Sequence, residues 1–510
     1  MTAGSLVWFA RHEVRLSWRD LVSMMTAGKK AREPFLVVLT LVFVAFMHGF
    51  AFLIIRQTGT LPARPDLPTL IAVTAAALLS VSAMLSQAME NVTRAFYSRS
   101  DLELILSSPA PARRIFAVRI VAIALSVGTM SLFVTGPFID VLVLRDGWHW
   151  LSAYGVILSA AFAATALAVI FTLALFDAIG PKRTRFAAQV AAAIIGAAFV
   201  IGIQLAAMLS TGTLSRAAFL HSQLVIAHAP DIRSFVWWPA RAALGDATCL
   251  VEVVTSCAVL FLVVTVLSAP RFAGCALAAG SVAHESSHSR QRNRPFRSRT
   301  PAQALRRKEW LLLLRDPWLM SQSLMQLLYL LPPAVLLWRS FASGGNGSVI
   351  CVPVLIMASG QLAGGLAWLT ISGEDAPDLV ATAPIWSTQL QRAKVEAVMG
   401  AIAVLFCPFI LVLAFASPFS AIVALCGVPL AASSATAIQL WFRSQAKRSH
   451  FRRRQTSSRI ATFAEAFSSI TWAGAGAIAA AGSAFAVIPG LIALCMLAGV
   501  RRFAPRNANG

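Results

Sequence analysis

The feature that most constrains this chain is a succession of about twelve apolar stretches. Each is near the roughly 20 residues an α-helix needs to cross about 30 Å of hydrocarbon. They run at about 35–55, 68–90, 115–144, 151–176, 186–211 and 248–268, then 318–338, 349–372, 395–416, 419–442, 462–484 and 485–500. Lipid offers the backbone no hydrogen-bond partner, so segments of this length must satisfy their own N–H and C=O groups as helices. The chain is therefore expected to be an all-α polytopic membrane protein. Its composition agrees: 58% of the residues are hydrophobic and 13% charged, where a soluble domain carries about a quarter charged. Only the border between the last two helices is hidden, in the Ala- and Gly-rich sequence from Trp472 to Pro489.

A net charge of +22 in a soluble protein would point to nucleic acid. Here the cations lie in short loops between apolar segments, which excludes nucleic acid as a partner and leaves the lipid bilayer. Lys and Arg accumulate on the cytoplasmic side of a membrane. With the N-terminus inside, the outer loops hold only Arg56, Arg64, Arg145, Arg216, Arg233, Arg241 and Arg339 of the 43. An even number of spans returns the C-terminal Arg501, Arg502 and Arg506 to the inside as well. The segment before the first span is too long and too charged for an ordinary cleaved signal peptide, so it is expected to be retained. The stretch Ser286 to Lys308 is polar, basic and without apolar periodicity. It divides the chain into a first six-helix half (1–268), a basic cytoplasmic linker (269–308) and a second six-helix half (309–510).

Two echoes connect those halves. Glu13, Arg19 and Asp20 before the first span recur at identical spacing as Glu309, Arg315 and Asp316 before the seventh. In the first copy Arg11, Arg15 and Arg19 are four apart and share one helical face, as in a helix lying on the membrane surface. After the second span, Glu103-Leu104-Ile105-Leu106-Ser107-Ser108-Pro109 matches Asp378-Leu379-Val380-Ala381-Thr382-Ala383-Pro384, and Arg119 then matches Lys394. Each copy has the length of a short helix closed by Pro. Both halves read from the same cytoplasmic start, so the repeats are expected to be parallel, related by an axis along the membrane normal.

Ser100 to Pro109, together with Lys308-Glu309-Trp310 leading into Arg315-Asp316-Pro317-Trp318, makes the chain resemble the permease subunits of type-2 ABC exporters. The resemblance implies two surface helices, carrying Glu13, Arg15, Arg19 and Asp20 in one half and Glu309, Arg315 and Asp316 in the other. It also implies two coupling helices that dock on separately encoded cytoplasmic ATPase subunits, two in number. Asp101, Glu103, Leu104, Ser107 and Pro109 would form the first, and Asp378, Leu379, Thr382 and Pro384 the second. The expected seat is a bacterial inner membrane. Family members often carry one half per chain and pair as dimers, whereas both halves are fused here.

Chemistry of its own is not expected of this chain. It has no GxxxxGK[ST] phosphate loop, no HExxH and no GxSxG, so it is not read as an enzyme and holds no cofactor. ATP and Mg would belong to the partner. The seven cysteines show no CxxC spacing and read as small core residues. His284 and His288 lack a third metal ligand nearby. The alternative reading, a twelve-helix secondary transporter coupled to an ion, needs ionisable residues inside the membrane. The candidates are His48, Glu90, Asp140, Asp177, Glu252, Glu396 and Glu465. His48 and Asp140 are the deepest and are read as polar groups bonded to a neighbouring helix.

Overall fold

The computed structural model describes residues 33–57, 66–97, 112–208, 222–285, 300–315, 347–372, 384–442 and 459–503. It adds single helical positions such as Trp8, Arg11, His12, Arg15, Arg19 and Thr382. Among the described residues there is no strand. Among the described residues, nine helical segments are long and apolar enough to cross a bilayer: Leu67–Ala95, Arg113–Asp146, Trp148–Pro181, Arg183–Ala206, Ala247–Arg271, Val349–Ile371, Thr388–Ala416, Pro418–Trp441 and Ala484–Arg502. The protein is thus an all-α, multi-pass membrane protein. Helix α1 (Glu33–Gln57) lies on the first expected stretch, and a helix at Arg459–Ala480 lies on the eleventh. Most of 318–338 is outside the described residues.

The chain divides into two units, Met1–Arg292 and Asn293–Gly510. In the first, α2 (Leu67–Tyr97), α3 (Ala112–Asp146) and α4 (Ser152–Ala206) are followed by the short helices α5 (Gln223–His228) and α6 (Trp238–Ala243) and by α7 (Ala247–Glu285). A continuous helix of 55 residues would reach roughly 80 Å at 1.5 Å per residue, more than twice the thickness of the hydrocarbon. It turns a corner instead at Gly180, whose φ of 72° and ψ of 167° suit a residue without a Cβ. Pro181 opens the next segment, and the Thr184 hydroxyl donates to the Gly180 carbonyl at 2.9 Å. The loop expected at 177–185 is therefore one sharp corner joining two spans. Helix α4 packs on α2, α3 and α7 through Met84, Met89, Phe116, Ile120, Ala161 and Ala168.

Helix α7 continues past the expected boundary at 268 as far as Glu285, running through Pro270, Gly274 and Gly280 without ending at any of them. Its start is held from outside by Asp246. That carboxylate accepts from the Thr248 hydroxyl (2.6 Å), the Thr248 amide (3.1 Å), the Cys249 amide (3.3 Å) and Arg241 Nη2 (2.8 Å). The hydrogen bond from Thr248, followed by those from Cys249 and the Arg241 charge, outweighs desolvation and pulls the Asp246 carboxyl down to about 2.

The second unit comprises α8 (Pro301–Arg315), α9 (Gly347–Ser372), α10 (Ser387–Ala416), α11 (Pro418–Trp441), α12 (Arg459–Ala480) and α13 (Val487–Phe503). The last border, hidden in the sequence, falls at Gly482, with Ser483 capping the turn that leads into α13. Helix α9 packs on α10, α11 and α12, its larger side chains such as Leu355 and Ile356 set against small residues of α11 and α12. On α11, Ala424, Gly427, Ala431 and Ala435 face inward, whereas Phe419, Ile422 and Leu425 are more than half exposed. Small inside and large outside inverts the arrangement of a soluble bundle. It is what lipid demands, since helices gain little by hiding Leu from acyl chains and gain contact by close backbone approach.

Candidate functional site

Helix α8 begins where Thr300 caps it, its hydroxyl accepting from the Gln303 amide at 3.4 Å and its carbonyl from the Ala304 amide at 3.0 Å, with Pro301 in the first turn. Pro fits there because the first-turn amide has no intrahelical partner. The helix thus starts inside what reads as linker, and the boundary at 309 falls within it. Its positions 305, 309 and 313 are four apart and share one face. Leu305 and Leu313 on that face are buried, and so is Glu309, at 0% exposure. Arg306, Arg307, Leu311 and Leu314 point away and are exposed.

A carboxylate in the middle of a buried stripe requires a cation. Lys394, on the first turns of α10, supplies it: Nζ lies 3.4 Å from Glu309 and also donates to the Thr370 carbonyl at the end of α9. Lys308 reaches the other side of the same carboxylate at 3.3 Å. The Lys394 side chain is 11% exposed. Next to Glu309 on α8, Trp310 lies against Gly400 of α10; a Cβ on that glycine would meet Trp310 Cζ2 at 2.8 Å. A second ion pair joins the same two helices on their outer surface, where Arg306 donates to Glu396 at 2.5 and 3.1 Å and Arg392 joins at 3.1 Å. Together these contacts join α8, α9 and α10 at one end.

Glu309, from the first echo, and Lys394, from the second, thus meet as partners. The repeat pairs Glu309 with Glu13 and Lys394 with Arg119, and not with each other. A signal existed: Leu305, Glu309 and Leu313 at helical spacing place an acid where an apolar residue belongs. Thr382 is helical and exposed, and Pro384 is an exposed bend before α10. Trp386, which sequence reasoning did not select, stands between Pro384 and α10 at 77% exposure. Arg15 and Arg19 are helical and exposed, and Arg315 ends α8. Asp101, Glu103, Leu104, Ser107, Pro109, Asp378, Leu379, Glu13, Asp20 and Asp316 lie outside the described residues.

Two polar clusters lie within the helices. In the second unit, Gln439 donates to Glu465 at 2.6 Å, and Trp472 Nε1 donates to Ser434 at 3.0 Å. In the first unit, His48 and Asp140 are in contact at 3.1 Å, and Tyr154 donates to the same carboxylate at 2.6 Å. Among the described residues no group of three His, Cys, Asp or Glu side chains could hold a metal ion. Comparison with protein families, with curated proteins and with solved structures finds no match for this chain.

Proposed function

We propose that this chain is the membrane permease of an ATP-driven exporter, with two parallel six-helix repeats, twelve spans and both termini in the cytoplasm of a bacterial cell. Two separately encoded ATPase subunits would hydrolyse ATP with Mg and dock on the Pro-terminated segments around Glu103 and Leu104 and around Asp378 and Leu379. The observation that carries the reading is the buried Glu309–Lys394 pair. It ties the surface helix to the helix that follows the segment ending at Pro384, so a push on that segment would move α8 and α10 together. Such mechanical unity is useful where a partner's closure must be transmitted to the membrane, and a buried ion pair resists shear because separation exposes an unpaired charge. Trp386 would contribute an aromatic anchor beside Thr382 and Pro384, of the kind that dominates binding at interfaces.

Cysteine crosslinking from Ser107 and Thr382 in native membranes tests this. Both sites should capture the same class of ATPase, and their failure in an active, assembled complex would remove the docking assignment. The alternative, an ion-coupled secondary transporter of twelve helices, draws on one observation, the His48–Asp140 contact within the spans. Affinity purification from the native membrane separates the two: an ATPase subunit accompanies the permease under the first reading and none does under the second.

A further inference from the structure

We propose that His48, Asp140 and Tyr154 form a proton-binding site between α1, α3 and the start of α4, in which the imidazole and the carboxylate share one proton. The argument is one of hydrogen-bond accounting. His48 Nδ1 lies 2.8 Å from the Val44 carbonyl. A carbonyl only accepts, so Nδ1 carries a hydrogen and donates it. The opposite nitrogen, Nε2, lies 3.1 Å from Asp140 Oδ2, and that contact needs a hydrogen as well. It is held either by Nε2, giving imidazolium against carboxylate, or by Oδ2, giving neutral imidazole against carboxylic acid. Both forms are neutral overall and contain the same single proton. Removing it sets a lone pair against a carboxylate, with Tyr154 as the remaining donor to Oδ1 at 2.6 Å.

The place of the cluster makes that proton consequential. Counting back from Gln57 and Asp146 at the ends of α1 and α3, His48 and Asp140 lie roughly 14 and 9 Å inside their helices at 1.5 Å per residue. An ionisable group within a membrane helix is expensive, and here an acid and an imidazole from two such helices meet each other. The side chains are 36% and 46% exposed, so the pair is reachable from the surface of the unit rather than sealed in its core. Other charges around it are committed or distant. On α1 there is Arg56; on α3 Arg145 donates to the Ile55 carbonyl and lies 3.9 Å from Asp146. On α7 Glu252 is exposed, and His149 lies tilted against Trp150 beyond the end of α3. Asp66 and Glu90 lie on or beside α2, and Asp177 lies far along α4. Among the described residues, none of these bonds to the three. The second half has no equivalent: the register that carries Arg119 onto Lys394 carries Asp140 onto Phe415 and Tyr154 onto Pro429. The proton site is therefore a property of the first half alone, and it holds whether ATP or an ion gradient drives the protein.

Infrared difference spectroscopy on the full chain, reconstituted in phosphatidylethanolamine and phosphatidylglycerol vesicles and titrated between about pH 4 and pH 10, reads the shared proton directly. One carboxyl band and one imidazole band should titrate with a common midpoint. Asp140→Asn should abolish the carboxyl band and alter the imidazole band, and His48→Gln should alter the carboxyl band in turn. Tyr154→Phe, which removes a single oxygen and preserves the ring, should displace both bands together and guards against a misfolded variant. A carboxyl band indifferent to His48→Gln, the absence of any band that depends on Asp140, or midpoints unmoved by Tyr154→Phe would each overturn the three-residue site.

Discussion

Helices α8 and α10 are joined twice, and access to water separates the two joints. Glu309 and Lys394 are 0% and 11% exposed, whereas Arg306 and Glu396 are 53% and 32% exposed. The outer pair has the shorter contacts, down to 2.5 Å against 3.4 Å, yet it contributes the less. Exposed ions lose little water on pairing and regain it on separation. The inner pair has been stripped of water, so neither member tolerates the loss of the other. Contact length is therefore a poor guide to importance here, and burial decides.

The sharpest way to break the comparison is Lys394→Met. It should destabilise the second unit by about 3 kcal/mol, the lower end of the range for an orphaned buried charge, because Lys308 still reaches the carboxylate. Combining it with Glu309→Met should restore most of that loss, and thermal unfolding in detergent followed by tryptophan fluorescence measures both. A double variant no better than the single would show that packing rather than charge holds the joint. Next in size is Gly400→Val, which forces side-chain atoms into the Trp310 ring and should cost about 1–3 kcal/mol, with a shift in Trp310 emission as the second readout.

Asp246 and Arg241 of the first unit lie between the extremes, at 26% and 34% exposure. Asp246→Ala removes the cap of α7 and should cost about 1 kcal/mol. The pH dependence sharpens the point. The carboxyl is held near 2 in the folded chain and titrates near 3.9 when unfolded. Its contribution is therefore complete above about pH 4 and is lost as pH falls towards 2. The difference in unfolding temperature between wild type and Asp246→Asn should accordingly shrink over that window; a constant difference would deny the shift. Smallest of all, Glu396→Gln should leave the unfolding temperature unchanged within error, because both ends of that pair remain solvated.

How much was legible in the sequence can be argued from these same residues. The helices were, because hydrocarbon imposes a length and an apolar character that no soluble context imitates, and nine of the expected stretches coincide with apolar helices. Helix ends were less legible. Pro270 did not end α7, and α8 began at Pro301, since local capping and packing decide where a helix stops. Glu309 was singled out by spacing but read as a surface group. Its burial depends on α9 and α10 closing over it, which no window along the chain can contain.

What the sequence by itself determined is the all-α membrane class, since composition and segment length act locally and additively. Tertiary structure alone decided which polar groups meet. Lys394 lies 85 residues from Glu309 and Asp140 lies 92 from His48, distances over which residue spacing carries no information about contact. An ion pair in an apolar setting depends on angstrom-scale geometry that only the packed helices provide.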